Sequence, residues 1–318
     1  MKEIVHWVTA AIALVAAGSS LAQGFPNKPI RIIFGFQPGT IQDAVARPVA
    51  LEMEKRLGQP IILEFKPGAN GTIAAKFVAG SAPDGYTLNY NSITIHPIFN
   101  KNNAVDAAKE LAPVSQFVQT PVFLFARTSL PVTTLQELVA YGKANPNNIK
   151  YGTSNPTINL GFEMLKVRTG LAALDVPYKA SSPTILAMLA SEVDMTFSSP
   201  GVFLPHVEAG KLRAIFVASN KRSPILPNVP SASEIGIPNF ELAVNNNLWA
   251  PVGTPRDVVT KLSEAAAAAL RMPTIVDFIR KGIGSEPVGS TPEEQLRTFE
   301  SEVKFWSEAA RLANYQPQ

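Results

Sequence analysis

Short apolar runs alternate with amphipathic stretches along most of the chain. Apolar runs of roughly four to eight residues, flanked by Gly, Pro and β-branched residues, are typical of buried strands. They lie at residues 30–36, 61–65, 86–91, 114–118, 122–126, 174–178, 193–199, 212–219 and 247–251. The stretches between them predict helices at Ile41–Leu57, Ile73–Ala79, Leu135–Ala144, Leu160–Thr169 and Thr184–Ser191. This alternation predicts an α/β fold whose sheets are mostly parallel and flanked by helices.

The C-terminal part of the chain is predicted to be helical. One helix is predicted over residues 255–272, because the stretch begins with a proline and continues with strong helix formers. A second is predicted over residues 291–314, where Thr291 and Glu294 form a capping box and Pro292 takes the first helical position.

The length of 318 residues is enough for about two domains. Two strand-rich segments, at about residues 119–127 and 243–250, are candidates for crossings between them. Two crossings of this kind would form a hinge of parallel segments, which suits domains that close on a ligand.

Residues 1–22 have the pattern of a secretory signal peptide. An apolar run at residues 4–17 follows Lys2, and the small residues Ser20 and Ala22 predict cleavage after Ala22. The alternative is a membrane anchor, but the run is shorter than the roughly 20 residues that span a bilayer. We therefore expect an exported protein whose mature chain begins near Gln23.

Charge and composition exclude several classes of protein. The net charge of +3 is weak and no Lys/Arg cluster stands out, so no nucleic-acid partner is expected. Hydrophobic residues make up 46% of the chain and charged residues 17%, which is typical of a globular protein. The absence of cysteine excludes disulfides and thiol chemistry.

The sequence offers little catalytic chemistry. After removal of the signal peptide only His96 and His206 remain, and no carboxylates show metal-ligand spacing. There is no Gly-x-Ser-x-Gly motif, and residues 282–287 begin like a dinucleotide fingerprint without its third glycine or a following helix. Lys179 and Ser181 only imitate a Ser–Lys pair, and His206 is interpreted as a helix-surface or capping residue. We therefore predict no catalytic residue, no metal and no cofactor, with a secreted hydrolase as the disfavoured alternative.

Polar, uncharged loops follow four of the predicted strands. They lie at residues 36–42, 89–97, 153–157 and 195–201. In open α/β sheets ligands bind beyond the carboxyl ends of the strands. Four such loops therefore predict a polar pocket between two sheets.

The loop after the first strand is suited to hold an anion. Thr40 is a predicted N-cap, Asp43 fits a capping-box role, and Arg47 can pair with Asp43 one helical turn on. The helix start carries free N–H groups and partial positive charge, which suit a carboxylate or a phosphate. The alternative is an ordinary strand-to-helix turn with a cap. Pro48 is predicted to kink the helix.

Five segments carry a recognisable family pattern. They read FPNKPIRIIFGFQPGTIQDAVAR, LGQPIILEFKPGANGTIAAKFVAGSAPDGYTL, VPYKASSP, LPHVEAGKLRAIFVASNKRSPILPNVPSASEIGIP and WAPVGTPRDVVTKL. In order and spacing they resemble the Bug-type substrate-binding proteins of tripartite tricarboxylate transporters. The resemblance extends from Phe25 to about Trp306, which is essentially the whole mature chain.

The resemblance implies a periplasmic receptor with the two-domain, type II binding-protein fold and a two-segment hinge. It implies a first domain of residues 23–123 plus 248–318 and a second domain of residues 124–247. Such a receptor closes on a small organic carboxylate and delivers it to the integral-membrane permease subunits of a tripartite transporter. We expect a monomer. A receptor of the same fold that signals to a sensor kinase is an alternative that the sequence leaves open.

The binding loops of the family match residues 36–43, 91–96, 154–159, 178–182 and 198–199 of this chain. The predicted ligand-binding residues are Phe36, Gln37, Gly39, Thr40, Gln42, Asn91, Ser92, Thr94, His96, Ser154, Asn155, Thr157, Asn159, Tyr178, Lys179, Ala180, Ser181, Ser198 and Ser199. Lys179 is the charged residue of most interest for ligand binding. The alternative is that its side chain is solvated or has a structural role.

The loops differ from common family members in ways that bear on the ligand. Many members resemble Phe-Asp-Asn where this chain has Phe197 followed by Ser198 and Ser199, and an acidic residue there can meet the ammonium group of an amino acid. Without it, a buried ammonium group would lack an anionic partner. Apolar Phe36 and Ile93, with Ile41, suit a chain or a ring between two polar ends. We therefore predict a dicarboxylate, aliphatic or aromatic, without an ammonium group.

Overall fold

The computed structural model describes residues 24–92, 97–99, 105–178 and 180–315, so the predicted signal peptide lies outside it. The strands of this part of the chain form two sheets. The strands are β1 (Ile30–Phe34), β2 (Ile61–Phe65), β3 (Thr87–Asn91), β4 (Leu111–Pro121), β5 (Phe123–Arg127), β6 (Lys150–Thr153), β7 (Leu174–Pro177), β8 (Met195–Ser198), β9 (Leu212–Val217), β10 (Ala243–Pro251) and β11 (Glu286–Pro287).

Helices cover the faces of the sheets. They are α1 (Ile41–Leu57), α2 (Thr72–Ala79), α3 (Ala107–Glu110), α4 (Leu135–Ala144), α5 (Pro156–Thr169), α6 (Ser181–Leu189), α7 (Leu204–Glu208), α8 (Arg256–Leu270), α9 (Pro273–Asp277) and α10 (Pro292–Leu312). Short 3₁₀ turns cover Ala69–Gly71 and Pro97–Phe99, and a π-helical turn covers Phe278–Ile283. Within the described ranges, no helix combines the length and the apolar character of a membrane span.

The two sheets contain both parallel and antiparallel pairs. The first has the order β11-β4-β10-β3-β1-β2, with β1 parallel to β2 and β3 and with β10 antiparallel to β3 and β4. The second has the order β7-β6-β8-β5-β9, with β6 parallel to both neighbours and β5 antiparallel to both. The predicted two-domain α/β fold is confirmed, but the sheets are mixed rather than mostly parallel. Apolar periodicity locates a strand without giving its direction, and the strands that lead from one sheet to the other run against their neighbours.

Two neighbouring chain segments connect the sheets. Strand β4 ends at Pro121 in the first sheet and β5 begins at Phe123 in the second, so the first crossing is at Val122. The chain returns to the first sheet at the start of β10, where the first residue of this strand, Ala243, pairs with Pro121. Ala243 thus belongs to the first sheet, whereas Phe123 pairs with β8 and β9 of the second. We therefore propose that the domains meet at residues 122 and 242. The sequence had predicted boundaries after residues 123 and 247.

The C-terminal helix α10 packs against both halves of the molecule. It contacts strand β4 of the first sheet and helix α5, which follows strand β6 of the second. Phe299 and Trp306 of α10 are buried in an apolar cluster that also contains Tyr151 and Phe162. The rings of Tyr151 and Phe162 stack with centroids 4.1 Å apart. Apolar packing through α10 therefore joins the cores of the two sheets.

Several predicted helix ends agree with the structure and others do not. The helix predicted at Thr184–Ser191 is found at Ser181–Leu189. The capping box of Thr291 and Glu294 is confirmed, with both of its hydrogen bonds present. Helix α1 continues through Pro48 as one helix. Helix α5 begins at Pro156 rather than at Leu160, and this earlier start brings its first turn to the site described below.

Candidate functional site

At the start of helix α1 it is the side chain of Asp43, rather than that of Thr40, that accepts a backbone hydrogen bond. Its carboxylate accepts a hydrogen bond from the N–H of Gly39 at 2.9 Å and pairs with the Arg47 guanidinium at 2.8 Å. The Thr40 hydroxyl donates to the carbonyl of Gln37 at 3.0 Å. The predicted pairing of Asp43 with Arg47 is confirmed. Thr40 occupies the predicted N-cap position, but its side chain makes no capping hydrogen bond to the helix, because its hydroxyl bonds to the preceding turn instead.

Asn91 holds two loops together at the end of strand β3. Its side-chain amide donates to the carbonyl of Gly71 at 3.0 Å and accepts from the N–H of Ser92 at 2.9 Å. Gly35 packs so closely here that a Cβ would lie 2.6 Å from Gly71 Cα and 2.7 Å from Asn91 Nδ2. The side-chain amide of Asn91 therefore joins the two loops. Ser92, which follows Asn91, and Asn70, which precedes Gly71, line the cavity described below.

Asn155 caps helix α5 at the end of the loop that follows β6. Its side-chain oxygen accepts a hydrogen bond from the N–H of Ile158 at 3.0 Å, and Pro156 occupies the first helical position. Asn155 is among the preferred N-cap residues, and its placement here follows ordinary capping chemistry. Thr157 is thereby left in the first turn of the helix, where it lines the cavity.

Asp175 ties the same loop to strand β7. Its two carboxylate oxygens accept hydrogen bonds from the Thr153 hydroxyl and from the Asn159 side-chain amide, each at 2.7 Å. Asn159, a predicted ligand-binding residue, is therefore directed to Asp175. Sequence reasoning missed Asp175, because it lies within a strand and only the fold brings it to the loop.

The other predicted loops of the second sheet lie at the strand ends around this loop. The N–H of Tyr178 donates to the carbonyl of Thr153 at 2.6 Å. Burial, with a smaller effect of Glu192, raises the pKa of the Tyr178 phenol. Ala180 immediately precedes helix α6, and Ser198 is buried at the end of β8, opposite Phe123 of β5.

A cavity of about 240 Å³ lies where the two sheets meet. This volume is just below the range of about 300–1,000 Å³ that is usual for ligand pockets, so the cavity suits a small metabolite. It is lined by Phe36, Gln42, Asn70, Ser92, Phe99, Val122, Asn155, Pro156, Thr157, Ile158, Leu242, Ala243, Val244 and Trp306. The structure thus brings together residues from both sheets, from both crossing segments and from helix α10.

The predicted site residues fall into three groups. The residues that line the cavity are Phe36, Gln42, Ser92, Asn155 and Thr157. The residues that are described but lie outside its lining are Gln37, Gly39, Thr40, Asn91, Ser154, Asn159, Tyr178, Ala180, Ser181, Ser198 and Ser199. Thr94, His96 and Lys179 lie outside the described residues. The role of all these residues in binding stays a prediction.

Much of the cavity wall was not predicted from the sequence. Val122, Ala243 and Val244 belong to the crossing segments, whose strand-rich pattern was interpreted as a hinge and not as a binding surface. Leu242 and Trp306 come from parts of the chain without loop chemistry. Such residues give no local signal, because only packing brings them to the site.

The described lining contains no charged side chain, and two helices begin beside it. Gln42 is in the first turn of α1, and Asn155 and Thr157 are at the start of α5. Each helix start presents backbone N–H groups and partial positive charge. An anion can therefore be held here by backbone N–H groups, amides and hydroxyls alone.

Features that could have indicated catalysis do not form a site in the described residues. His206 lies in helix α7, in agreement with its interpretation as a helix residue. Residues 282–287 end a π-helical turn and enter strand β11, which is not the strand-to-helix turn of a dinucleotide site. Across the described ranges, no group of His, Asp or Glu residues is arranged to hold a metal ion.

A family model described as the tripartite tricarboxylate transporter family receptor matches residues 45–310. The chain belongs to this receptor family. It is 34% identical to a UPF0065 protein of Bordetella pertussis, over 96% of this chain and 95% of that protein. The family predicted from the sequence is thereby confirmed, and it is a family of substrate-binding receptors rather than of enzymes.

Solved structures of related receptors have the same fold. The periplasmic binding protein BugD is 30% identical, with a TM-score of 0.73 over 92% of this chain and all of that one. Rhodopseudomonas palustris Rpa4515, solved with adipate, is 31% identical, with a TM-score of 0.77 over 93% of this chain and all of that one. MatC of the same organism, solved with malate, is 28% identical, with a TM-score of 0.71 over 90% of this chain and 99% of that one.

Proposed function

We propose that this receptor binds a small organic dicarboxylate between its two domains in the periplasm and delivers it to the membrane permease of a tripartite transporter. The observation that carries the proposal is the cavity at the meeting point of the sheets, where helices α1 and α5 both begin. Two helix starts on one cavity suit a ligand with more than one anionic group. The adipate and malate held by two relatives are ligands of this class.

Binding of this kind depends on hydrogen bonds rather than on ion pairs. Gln42, Ser92, Asn155 and Thr157 supply amides and hydroxyls, and the helix starts supply N–H groups. Ordered water can complete the set at little energetic cost. The absence of a carboxylate from the described lining agrees with a ligand that has no ammonium group, since a buried ammonium group needs an anionic partner.

A titration of the mature chain, beginning near Gln23, tests this function. Isothermal titration calorimetry is run with succinate, adipate, malate and terephthalate, and with glutamate and aspartate as amino-acid counterparts. We expect at least one diacid to bind and to raise the melting temperature, since a ligand that binds only the folded state stabilises it. Tight binding of an amino acid with no diacid bound would contradict the proposal. Genomic or pull-down evidence of a sensor kinase in place of a permease would contradict the transport role alone.

A further inference from the structure

Most of the cavity wall is apolar, and much of it is aromatic. Phe36 comes from the loop after β1, Phe99 from a 3₁₀ turn and Trp306 from helix α10. The rings of Phe99 and Trp306 meet edge to face, with centroids 5.8 Å apart. Val122 of the first crossing and Leu242, which immediately precedes β10, extend the same wall. All of these except Phe36 are almost completely buried, so the wall is a fixed part of the core.

The polar lining has a different origin. Gln42 and Thr157 come from the first turns of α1 and α5, and Ser92 follows the end of β3. The polar groups therefore belong to loop ends and helix starts, whereas Val122 and Trp306 of the apolar wall come from the first crossing and from α10. A ligand that fills the cavity must place its anionic ends against the polar groups. The part of the ligand between these ends, called its body below, must then lie against the apolar wall.

We infer that the body of the ligand is apolar, either a ring or an unsubstituted chain, and that Val122 and Trp306 determine this specificity. The inference rests on the function proposed above and narrows it. Each methylene group buried against the wall is expected to improve affinity about fourfold. A hydroxyl group on the body would lose its water without gaining a partner, which is expected to weaken affinity about five- to hundredfold.

Four ligands form matched pairs that test this selectivity by calorimetry. Malate differs from succinate by one hydroxyl group, adipate has a longer methylene chain than succinate, and terephthalate has a ring. We expect adipate and terephthalate to bind more tightly than succinate, and succinate more tightly than malate. If malate binds most tightly, the inference is overturned while the proposed function stands. If none of the four binds, both are overturned.

Val122→Thr tests the wall with little change of shape, because threonine replaces one methyl group by a hydroxyl. The variant offers a partner to the hydroxyl of malate, so the preference for succinate over malate should fall at least several-fold. Val118→Thr is the control, since Val118 is buried like Val122 but lies within strand β4 and does not line the cavity. An unchanged ratio in Val122→Thr, or an equal change in both variants, would count against the inference.

Trp306→Leu tests the aromatic part of the wall. The preference for terephthalate over succinate should fall at least several-fold, because the edge-to-face surface is lost. Phe299→Leu is the control, since Phe299 is buried on the same helix, packs against Trp249 and does not line the cavity. A retained preference in Trp306→Leu would exclude this residue from specificity. If Trp306→Leu fails to fold, the Val122→Thr ratio still decides the inference.

Discussion

The side-chain oxygen of Asn155 accepts the N–H of Ile158 at 3.0 Å, so Asn155 caps helix α5 and the hydroxyl of Thr157 is not needed for that purpose. Thr157 lines the cavity beside this cap. The two neighbouring polar residues therefore have separable roles, one in stabilising the helix and one in facing the cavity.

Thr157→Val is expected to weaken ligand binding by about ten- to hundredfold, because a hydrogen bond to a charged group contributes roughly 1.5–3 kcal/mol. The melting temperature should change little, since the cap is intact. Calorimetry and thermal unfolding measure the two effects. The control is Thr134→Ala, which removes the side-chain cap of helix α4 away from the cavity. It should cost about 1 kcal/mol of stability and leave affinity unchanged. A lower melting temperature with full affinity in Thr157→Val would show that Thr157 has only a structural role.

Gly35→Ala is expected to lower both stability and affinity. The added Cβ would lie 2.6 Å from Gly71 Cα and 2.7 Å from Asn91 Nδ2, so the backbone of the loop must move. Overpacking of this kind costs roughly 1–3 kcal/mol. Gly80→Ala is the matched control, because its Cβ would meet only ordinary contacts at 3.6 Å or more. Denaturant unfolding measures the difference, and equal stability of the two variants would contradict the close packing of this loop.

The stability of the folded protein is expected to fall as the pH rises, because of the buried carboxyl group of Glu302. Its carboxylate accepts a hydrogen bond from the Asn245 side-chain amide at 3.0 Å, and its other oxygen is buried with no hydrogen-bond partner in the described residues. Burial raises the pKa of Glu302 from 4.5 to about 8, against a smaller opposite effect of Asn245. The folded state thus favours the protonated acid. Its contribution to stability is complete below pH 4.5 and is lost as the pH rises through about 8.

Glu302→Gln should remove this part of the pH dependence. The amide keeps the size of the side chain and has no charge to bury. Wild-type protein is expected to melt several degrees lower at about pH 9 than at about pH 6, since each pKa unit corresponds to about 1.4 kcal/mol. The variant should show a smaller difference. Identical pH profiles would mean that the carboxyl group is ionised and solvated in the folded state.

Ligand binding is expected to draw the two domains together. The site takes residues from both sheets and from both crossing segments, so a bound ligand contacts both sides of the hinge. Small-angle scattering should give a smaller radius of gyration with saturating ligand than without it. A ligand-deficient variant such as Thr157→Val, measured at the same ligand concentration, is the control. An unchanged radius for the wild-type protein would argue against closure.

The sequence located most elements because their periodicity is local. Helix α1 was predicted from Ile41 to Leu57 and has these bounds, and strand β2 was predicted at residues 61–65 and found there. Strand β10 was predicted to begin at Asn247 but begins at Ala243. Buried asparagines at 245–247 explain this error, because asparagine is uncommon in strands and gives no apolar signal.

The candidate site was only partly accessible to sequence reasoning. The loops and helix starts carry recognisable polar and capping residues, and Gln42, Ser92 and Thr157 were found in this way. The wall of Trp306 and Leu242 could not be found, since these side chains look like ordinary core residues in the sequence. A hydroxyl group can also bond to several nearby backbone groups, and the sequence does not show which one it uses. The hydroxyl of Thr40 bonds to the carbonyl of Gln37 and not to the helix.

Because Pro121 pairs with Ala243, we propose that the segment between them is a modular insertion into the first sheet. The chain leaves the first sheet and re-enters it at residues that are neighbours across a ladder, where antiparallel partners lie only about 5 Å apart. Residues 122–242 can therefore be treated in protein engineering as a cassette with adjacent ends. A receptor with another specificity could be built by exchanging this cassette between relatives, provided that the apolar surface facing helix α10 is exchanged or matched with it.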